Sequence, residues 1–222
     1  LVQIPQVLHL YWGNPTISFM RFLTVYSFCK QNPGWKVKLY YPHQFYRGDS
    51  TWTAAPHKKK FTGTDYMSEL RKLPVEWIEF DFSSLGVSHA IPEPYKADYL
   101  RWHLLATEGG VWSDMDILYI KPIGALYLNS ADNSAVDTVV CLNTEAKTCS
   151  PYYSIGFLLS SAENAFYRFI SDHAQDNFDS DKYQSVGRLL IKRYFPDLRH
   201  IVQRFPDLNL WNLSMNVVYS YD

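Results

Sequence analysis

An α/β sandwich built on a mostly parallel sheet is the fold this chain predicts, and three observations carry the prediction. Apolar segments that read as strands alternate with segments of helical period along the 222 residues. The first unit, strand–helix–strand over 7–41, has the form of a right-handed parallel crossover. Hydrophobic residues make up 47% of the chain and aromatic residues 17%, which suffices for a substantial core and rules out global disorder.

The elements follow in order. Residues 7–12, between Pro5 and Gly13-Asn14-Pro15, form a short buried strand that ends in a turn. Ser18 caps a helix in which Phe19, Phe22, Leu23 and Tyr26 recur at i, i+3, i+4 and i+7, and Asn32-Pro33-Gly34 stops it. Trp35, Val37, Leu39 and Tyr41 then alternate with Lys36, Lys38 and Tyr40, as in a half-exposed strand. Over 42–63 the chain turns polar without a period, which predicts a mobile insertion and a candidate lid. Its basic run, His57-Lys58-Lys59-Lys60, reads as a solvated loop.

Thr64 or Asp65 caps a short helix through Lys72, and 75–82 forms a strand. A helix over 94–108 follows, then strands over 111–120, 138–142 and 155–160. Helices over 163–173 and 182–194 complete the layout, the last capped within Asp179-Ser180-Asp181. His9, in a strand facing a helix, reads as a satisfied core histidine.

Net charge is −1, with 21 basic against 22 acidic residues, so no nucleic-acid partner is expected. Cys29, Cys141 and Cys149 are too few for a disulfide framework or a thiolate metal site. Cys141 and Cys149 are spaced for one bridge, and three reduced thiols in a cytoplasmic protein is the simpler reading. No apolar run reaches the roughly 18 residues of a membrane span, and no signal peptide is visible. The chain starts at Leu1 and stops soon after Val217-Val218-Tyr219, a strand-like run. It therefore reads as one domain, 1–222, of something longer; a cytoplasmic location is the favoured expectation, and a removed anchor would allow a Golgi or ER lumen.

Chemistry concentrates in 95–122, YKADYLRWHLLATEGGVWSDMDILYIKP. Asp98 and Arg101 share a helix face at i, i+3, and alone would read as an ordinary surface pair. The helix ends at Gly109-Gly110, and a strand then delivers Asp114 and Asp116. In an extended chain these carboxylates point to the same side, at the edge of an apolar stretch, where something positive must compensate them. Oxygen-only ligands suit a hard cation such as Mn²⁺ or Mg²⁺, with phosphate oxygens completing its shell. The triplet is weak evidence alone, since Asp179-Ser180-Asp181 repeats it.

The 95–122 segment resembles the core signature of the sugar-binding-region, DXD-containing glycosyltransferases. That superfamily includes yeast initiating mannosyltransferases, the lactosylceramide galactosyltransferase and the glucosyltransferase domains of large clostridial cytotoxins. The opening IPQVLHLYWGN is similar to their first strand. The resemblance implies a GT-A-type fold, a divalent metal (Mn²⁺ or Mg²⁺) and a nucleotide-sugar donor, a UDP-sugar by preference. It also implies a hydroxyl acceptor on a glycan, lipid or protein, and retention of configuration. Carried over, Asp116 is the direct metal ligand, and Asp114 contacts the ribose and reaches the metal. Asp98 and Arg101 bond the donor sugar's hydroxyls, while Trp12, with Leu10 and Tyr11, forms the base pocket. A further contact from the C-terminal segment would fall to Asn212 or Ser214, with a late polar loop as the other reading.

Three other classes share parts of this pattern. A nucleotide-sugar-binding module without turnover would show no donor hydrolysis. An Asp-x-Asp phosphotransferase or phosphatase wants Gly-Thr after the second Asp and a nucleophile on an early strand, whereas Ile117-Leu118 follows here. A structural domain with solvated carboxylates would melt unchanged with metal and nucleotide.

Overall fold

The computed structural model describes residues 4–48, 62–124, 136–143 and 152–213. Seven strands form one sheet: β1 (Val7–Tyr11), β2 (Lys36–Pro42), β3 (Glu76–Phe80), β4 (Gly110–Ser113), β5 (Thr138–Asn143), β6 (Tyr152–Ser160) and β7 (Leu210–Asn212). Their order is β3-β2-β1-β4-β6-β5-β7. Four of the pairings are parallel, and β6 runs antiparallel between β4 and β5. The mostly parallel sheet is present. The reversal of β6 was hidden because a fully buried strand reads the same in either direction.

Among the described residues the α-helices are α1 (Phe19–Gln31), α2 (Met67–Leu70), α3 (Glu93–Thr107), α4 (Ala165–Ala174), α5 (Arg188–Tyr194) and α6 (Leu198–Arg204). Ser18 caps α1 as expected, accepting from the Arg21 amide at 3.4 Å. Successive strand residues face opposite ways, and each face has its own core. Leu8, Leu10, Leu39 and Val111 pack with Val25 and Phe28 of α1. Tyr11, Trp112 and Leu158 pack on the other face with Leu100 and Trp102 of α3 and Phe166 and Tyr167 of α4.

Gly109 and Gly110 end α3 with φ of +66° and +97°, in the left-handed region that favours glycine. A Cβ at Gly110 would sit 2.4 Å from Val7 Cγ1, and one at Gly109 would sit 2.4 Å from the Ala162 nitrogen. Only bare backbone lets β4 slide between β1 and β6. His9 is the satisfied core histidine expected. Its Nε2 meets the Gly109 carbonyl at 2.8 Å, so that nitrogen carries the proton, and Nδ1 accepts from the Tyr40 hydroxyl at 3.2 Å.

Several boundaries differ from expectation. The strand over 111–120 stops at Ser113, where the β4–β6 ladder ends. Beyond it Met115, Ile117 and Tyr119 are buried while Asp116, Leu118 and Ile120 are exposed, so the alternation is real. That stretch runs along α1 instead of a strand. Tyr119 donates its amide to Ser27 Oγ at 3.0 Å, and Ile123 donates to Asn32 Oδ1 at 2.7 Å.

The helix over 182–194 begins only at Arg188. Asp179 and Ser185 instead bond the backbone of turns. The Asp181 amide donates to Asp179 Oδ1 at 3.0 Å, and the Asp179 amide to Ser185 Oγ at 3.1 Å. Such local bonds compete with a helix. The short helix placed at 65–72 is only Met67–Leu70, though Asp65 still accepts the Met67 amide at 3.0 Å. Helix α6 was not foreseen, although Asp197 after Pro196 caps it from the Arg199 amide at 2.9 Å. Residues 49–61 of the expected lid, Cys149, Ser214 and the terminal strand-like run lie outside the described residues.

Candidate active site

Strands β1, β2 and β3 step outward to one side, and β4 then returns to the other side of β1. The carboxyl ends of β1 and β4 thus diverge at a switch point, where open α/β sheets place their ligands. A cleft opens there. It is lined by Tyr11, Trp12, Gly13 and Asn14 after β1, by residues 112–116, by Asp98 and Arg101 of α3, and by Tyr183 and Gln184.

The i, i+3 spacing on α3 brings Asp98 and Arg101 together, as the pattern implied. They are not an exposed pair, however, since their side chains are only 8% and 3% accessible. Arg101 Nη1 lies 3.2 Å from Asp98 Oδ1, and Nη2 donates to Asp114 Oδ1 at 3.0 Å. Trp112 Nε1 donates to the same Asp114 oxygen at 3.0 Å, and the guanidinium lies 4.9 Å from the centre of the Trp112 ring. Arg101 Nε and Nη1 make no aligned hydrogen bond. Buried donors left this way are what a ligand oxygen would satisfy.

One cation serves two carboxylates here. Burial pushes the Asp98 pKa up to about 7; Arg101 opposes the rise and Asp114 adds to it. Gly187 closes the space behind Asp98, where a Cβ would meet Asp98 Oδ2 at 2.6 Å.

Asp114 and Asp116 both line the cleft, but not as neighbours on an extended strand. Asp114 follows the last ladder residue and faces Arg101, whereas Asp116 lies in the next turn. Asp116 is half exposed and is held at 3.2 Å by Arg21 Nη1 from α1. Burial and the Asp114 charge push its pKa up against the pull of Arg21. Among the described residues, no group of three or more His, Cys, Asp or Glu forms a cage for an ion. The all-oxygen pair Asp114 and Asp116 fits a hard cation only if a ligand and water supply the rest of its shell.

At the end of β1, Tyr11 and Trp12 line the cleft, and Leu10 does not. The Leu10 side chain is fully buried in the core beneath α1, because strand geometry turns it away from Tyr11. Trp12 donates Nε1 to the Thr16 carbonyl at 3.0 Å. Tyr11 donates its hydroxyl to Glu93 Oε2. Glu93 Oε1 accepts from the Tyr46 amide at 2.7 Å and from Lys96 Nζ at 3.1 Å, and fully buried Lys96 also donates to the Gln44 carbonyl at 3.1 Å. Burial, then Glu93, push the Tyr11 pKa well up.

Glu93, Arg21, Tyr183 and Gln184 were missed from sequence. Glu93 carried a signal as an acid in the first turn of a proline-led helix, three residues before a lysine. Gln184 has a φ of +62°, rare for a side-chain-bearing residue, and nothing in its sequence marks that. Asn212, one guess for a C-terminal contact, is occupied elsewhere. Its amide accepts from the Leu142 nitrogen at 2.7 Å and donates to the Leu142 carbonyl at 3.0 Å, extending the β5–β7 pairing.

Among solved structures, the fold is similar to "PaToxG Glycosyltransferase" at a TM-score of 0.55 and 17% identity, covering 91% of this chain and 75% of that one. At that identity the likeness speaks for the fold alone. An active-site mutant of LgtC gives 0.45 at 10% identity, and the galactosyltransferase LgtC with donor and acceptor sugar analogs gives 0.41 at 11%. Each covers 84% of this chain and 69% of the other. No curated protein sequence matches. Residues 21–137, more than half of the chain and the stretch that holds Arg21, Asp98, Arg101, Asp114 and Asp116, match the family described as glycosyltransferase sugar-binding region containing DXD motif. The chain belongs to that family, with a GT-A-type fold.

Proposed function

We propose that 1–222 is a catalytic domain whose cleft takes a UDP-sugar and moves the sugar to an acceptor hydroxyl, with retention, using Mn²⁺ or Mg²⁺ on Asp114 and Asp116. The observation that carries the reading is the Asp98–Arg101–Asp114 chain at the switch point. Asp98 and Arg101 are buried and Asp114 is partly exposed to the cleft, so the array has donor atoms to spare and is costly to maintain for stability alone.

Asp98 and Arg101 offer a charge-assisted acceptor and donor to sugar hydroxyls; both stand on α3, and the Arg101 guanidinium lies against the Trp112 ring. Tyr11 and Trp12 supply apolar surface for the base, with Glu93 fixing the Tyr11 ring. A cation, when bound, neutralises charge building on the departing diphosphate. Arg21, beside Asp116, adds positive charge at the same edge. The acceptor oxygen bonds the anomeric carbon as the carbon–phosphate-oxygen bond breaks, and its proton leaves to the diphosphate. Holding the ring so that these atoms meet at about 3 Å is the task assigned to Asp98 and Arg101. Retention rests on the family likeness.

A melting screen with UDP and UDP-sugars, followed by donor hydrolysis without acceptor, tests the reading. UDP should raise the melting temperature only with Mn²⁺ or Mg²⁺ present, and hydrolysis should follow the same dependence. Full binding under chelator would overturn the metal assignment, and no hydrolysis with any donor would leave a binding module.

A further inference from the structure

Arg21 stands in the first turn of α1, where no acidic residue accompanies it. A cation at that end of a helix opposes the helix dipole, so the position does not serve α1 itself. Its printed partner is Asp116, whose Oδ2 lies 3.2 Å from Arg21 Nη1, and both residues line the cleft. The two carboxylates assigned to the cation are therefore both engaged, Asp114 Oδ1 by Arg101 and Trp112 and Asp116 by Arg21. They are not equally fixed. The Arg101 side chain is 3% accessible, whereas those of Arg21 and Asp116 are 25% and 54%. An exposed ion pair exchanges partners at little cost, while a buried guanidinium left unpaired is expensive. A divalent cation on Asp116 would meet the Arg21 charge at short range and must displace it. The displaced guanidinium then needs another anion, and a diphosphate held by the same cation supplies one.

We propose that Arg21 changes partner when the donor binds, leaving Asp116 to the cation and bonding the diphosphate, so that neither cation nor nucleotide binds well alone. The proposal rests on the transferase reading and adds a diphosphate-contacting residue to it. Without nucleotide, Arg21 competes with the cation for Asp116. Without cation, Arg21 stays on Asp116 and the diphosphate meets the carboxylates of Asp114 and Asp116. With both present every charge has a partner, which is the condition for positive coupling between two ligands.

The test pairs two titrations. Mn²⁺ alone is followed by the electron spin resonance of the unbound ion, and UDP in saturating Mn²⁺ is followed by calorimetry. In Arg21→Gln, Mn²⁺ alone should bind about threefold tighter, because a competing exposed ion pair is gone. UDP in Mn²⁺ should bind roughly tenfold weaker, because a charge-assisted bond to phosphate is lost. A merely structural Arg21 would move both affinities down together or neither. Arg21→Lys, which keeps the charge, should show the smaller change in each. Combining Arg21→Gln with Asp116→Asn should abolish the gain in Mn²⁺ affinity, which places that gain at Asp116. Mn²⁺ affinity unchanged or lower in Arg21→Gln, UDP affinity unchanged, or a gain that survives Asp116→Asn would overturn the proposal and leave the transferase reading standing. An unmodified protein that binds no UDP in the presence of Mn²⁺ would overturn both.

Discussion

Arg101 Nη2 donates to Asp114 Oδ1 at 3.0 Å, joining the middle of α3 to the residue that follows β4, thirteen positions later. The same guanidinium lies 3.2 Å from Asp98. Arg101→Lys should therefore be a severe change, because one ammonium cannot reach both carboxylates in the planar manner of a guanidinium. Turnover should fall by about tenfold or more, at near-constant UDP affinity. Arg101→Ala should in addition lower the urea midpoint, since it leaves buried Asp98 unpaired while Asp114 keeps Trp112 and solvent. Retained turnover and stability in Arg101→Lys would mean that the bridge is incidental.

Asp116 presents the opposite case. Its carboxylate is half exposed, repelled by Asp114 and held by Arg21. Asp116→Asn removes a repulsion and a partly solvated ion pair worth about 0–1 kcal/mol. The apo melting temperature should stay level or rise slightly, while the metal-dependent UDP shift disappears. A variant that still shows the full shift would move the metal assignment elsewhere.

His9 gives the fold a pH dependence. Burial holds its pKa down at about 4, from an ordinary 6.5, although the Gly109 carbonyl pulls the other way. A depressed pKa means that the folded state prefers neutral imidazole. The stability tied to it is complete above pH 6.5 and drains away as pH falls through the window from 6.5 to 4. About 3 kcal/mol should be lost across that window. Urea midpoints at successive pH values measure the loss, and the His9 ring resonances should remain those of neutral imidazole at pH 5.5. An imidazolium signal there would refute the assignment.

What could be read from the chain was local. The i, i+3 spacing of Asp98 and Arg101, the Gly109-Gly110 stop and the Asp114-x-Asp116 triplet each depend on a few consecutive residues, and helical or strand geometry turns them into neighbours. The alternation over 115–120 was equally legible and still misled about 111–120. Periodicity reports which side chains are buried, not whether a strand lies alongside to pair with. The same limit hid the reversal of β6.

The order of elements along the chain, with the family signature, determined the α/β class and the identity of the central charged residues. Only the tertiary structure decided how those residues are used. Arg21 reaches Asp116 across 95 positions of sequence because α1 packs beside the turn after β4. Glu93 meets Tyr11, and Gly187 meets Asp98, for the same kind of reason. Leu10 and Tyr11, adjacent in sequence, part company because a strand sends one into the core beneath α1 and the other to the cleft. Sequence spacing governs contacts within an element. Contacts between elements depend on crossovers and sheet order, which bring distant segments together through burial of whole faces, and no single residue encodes that.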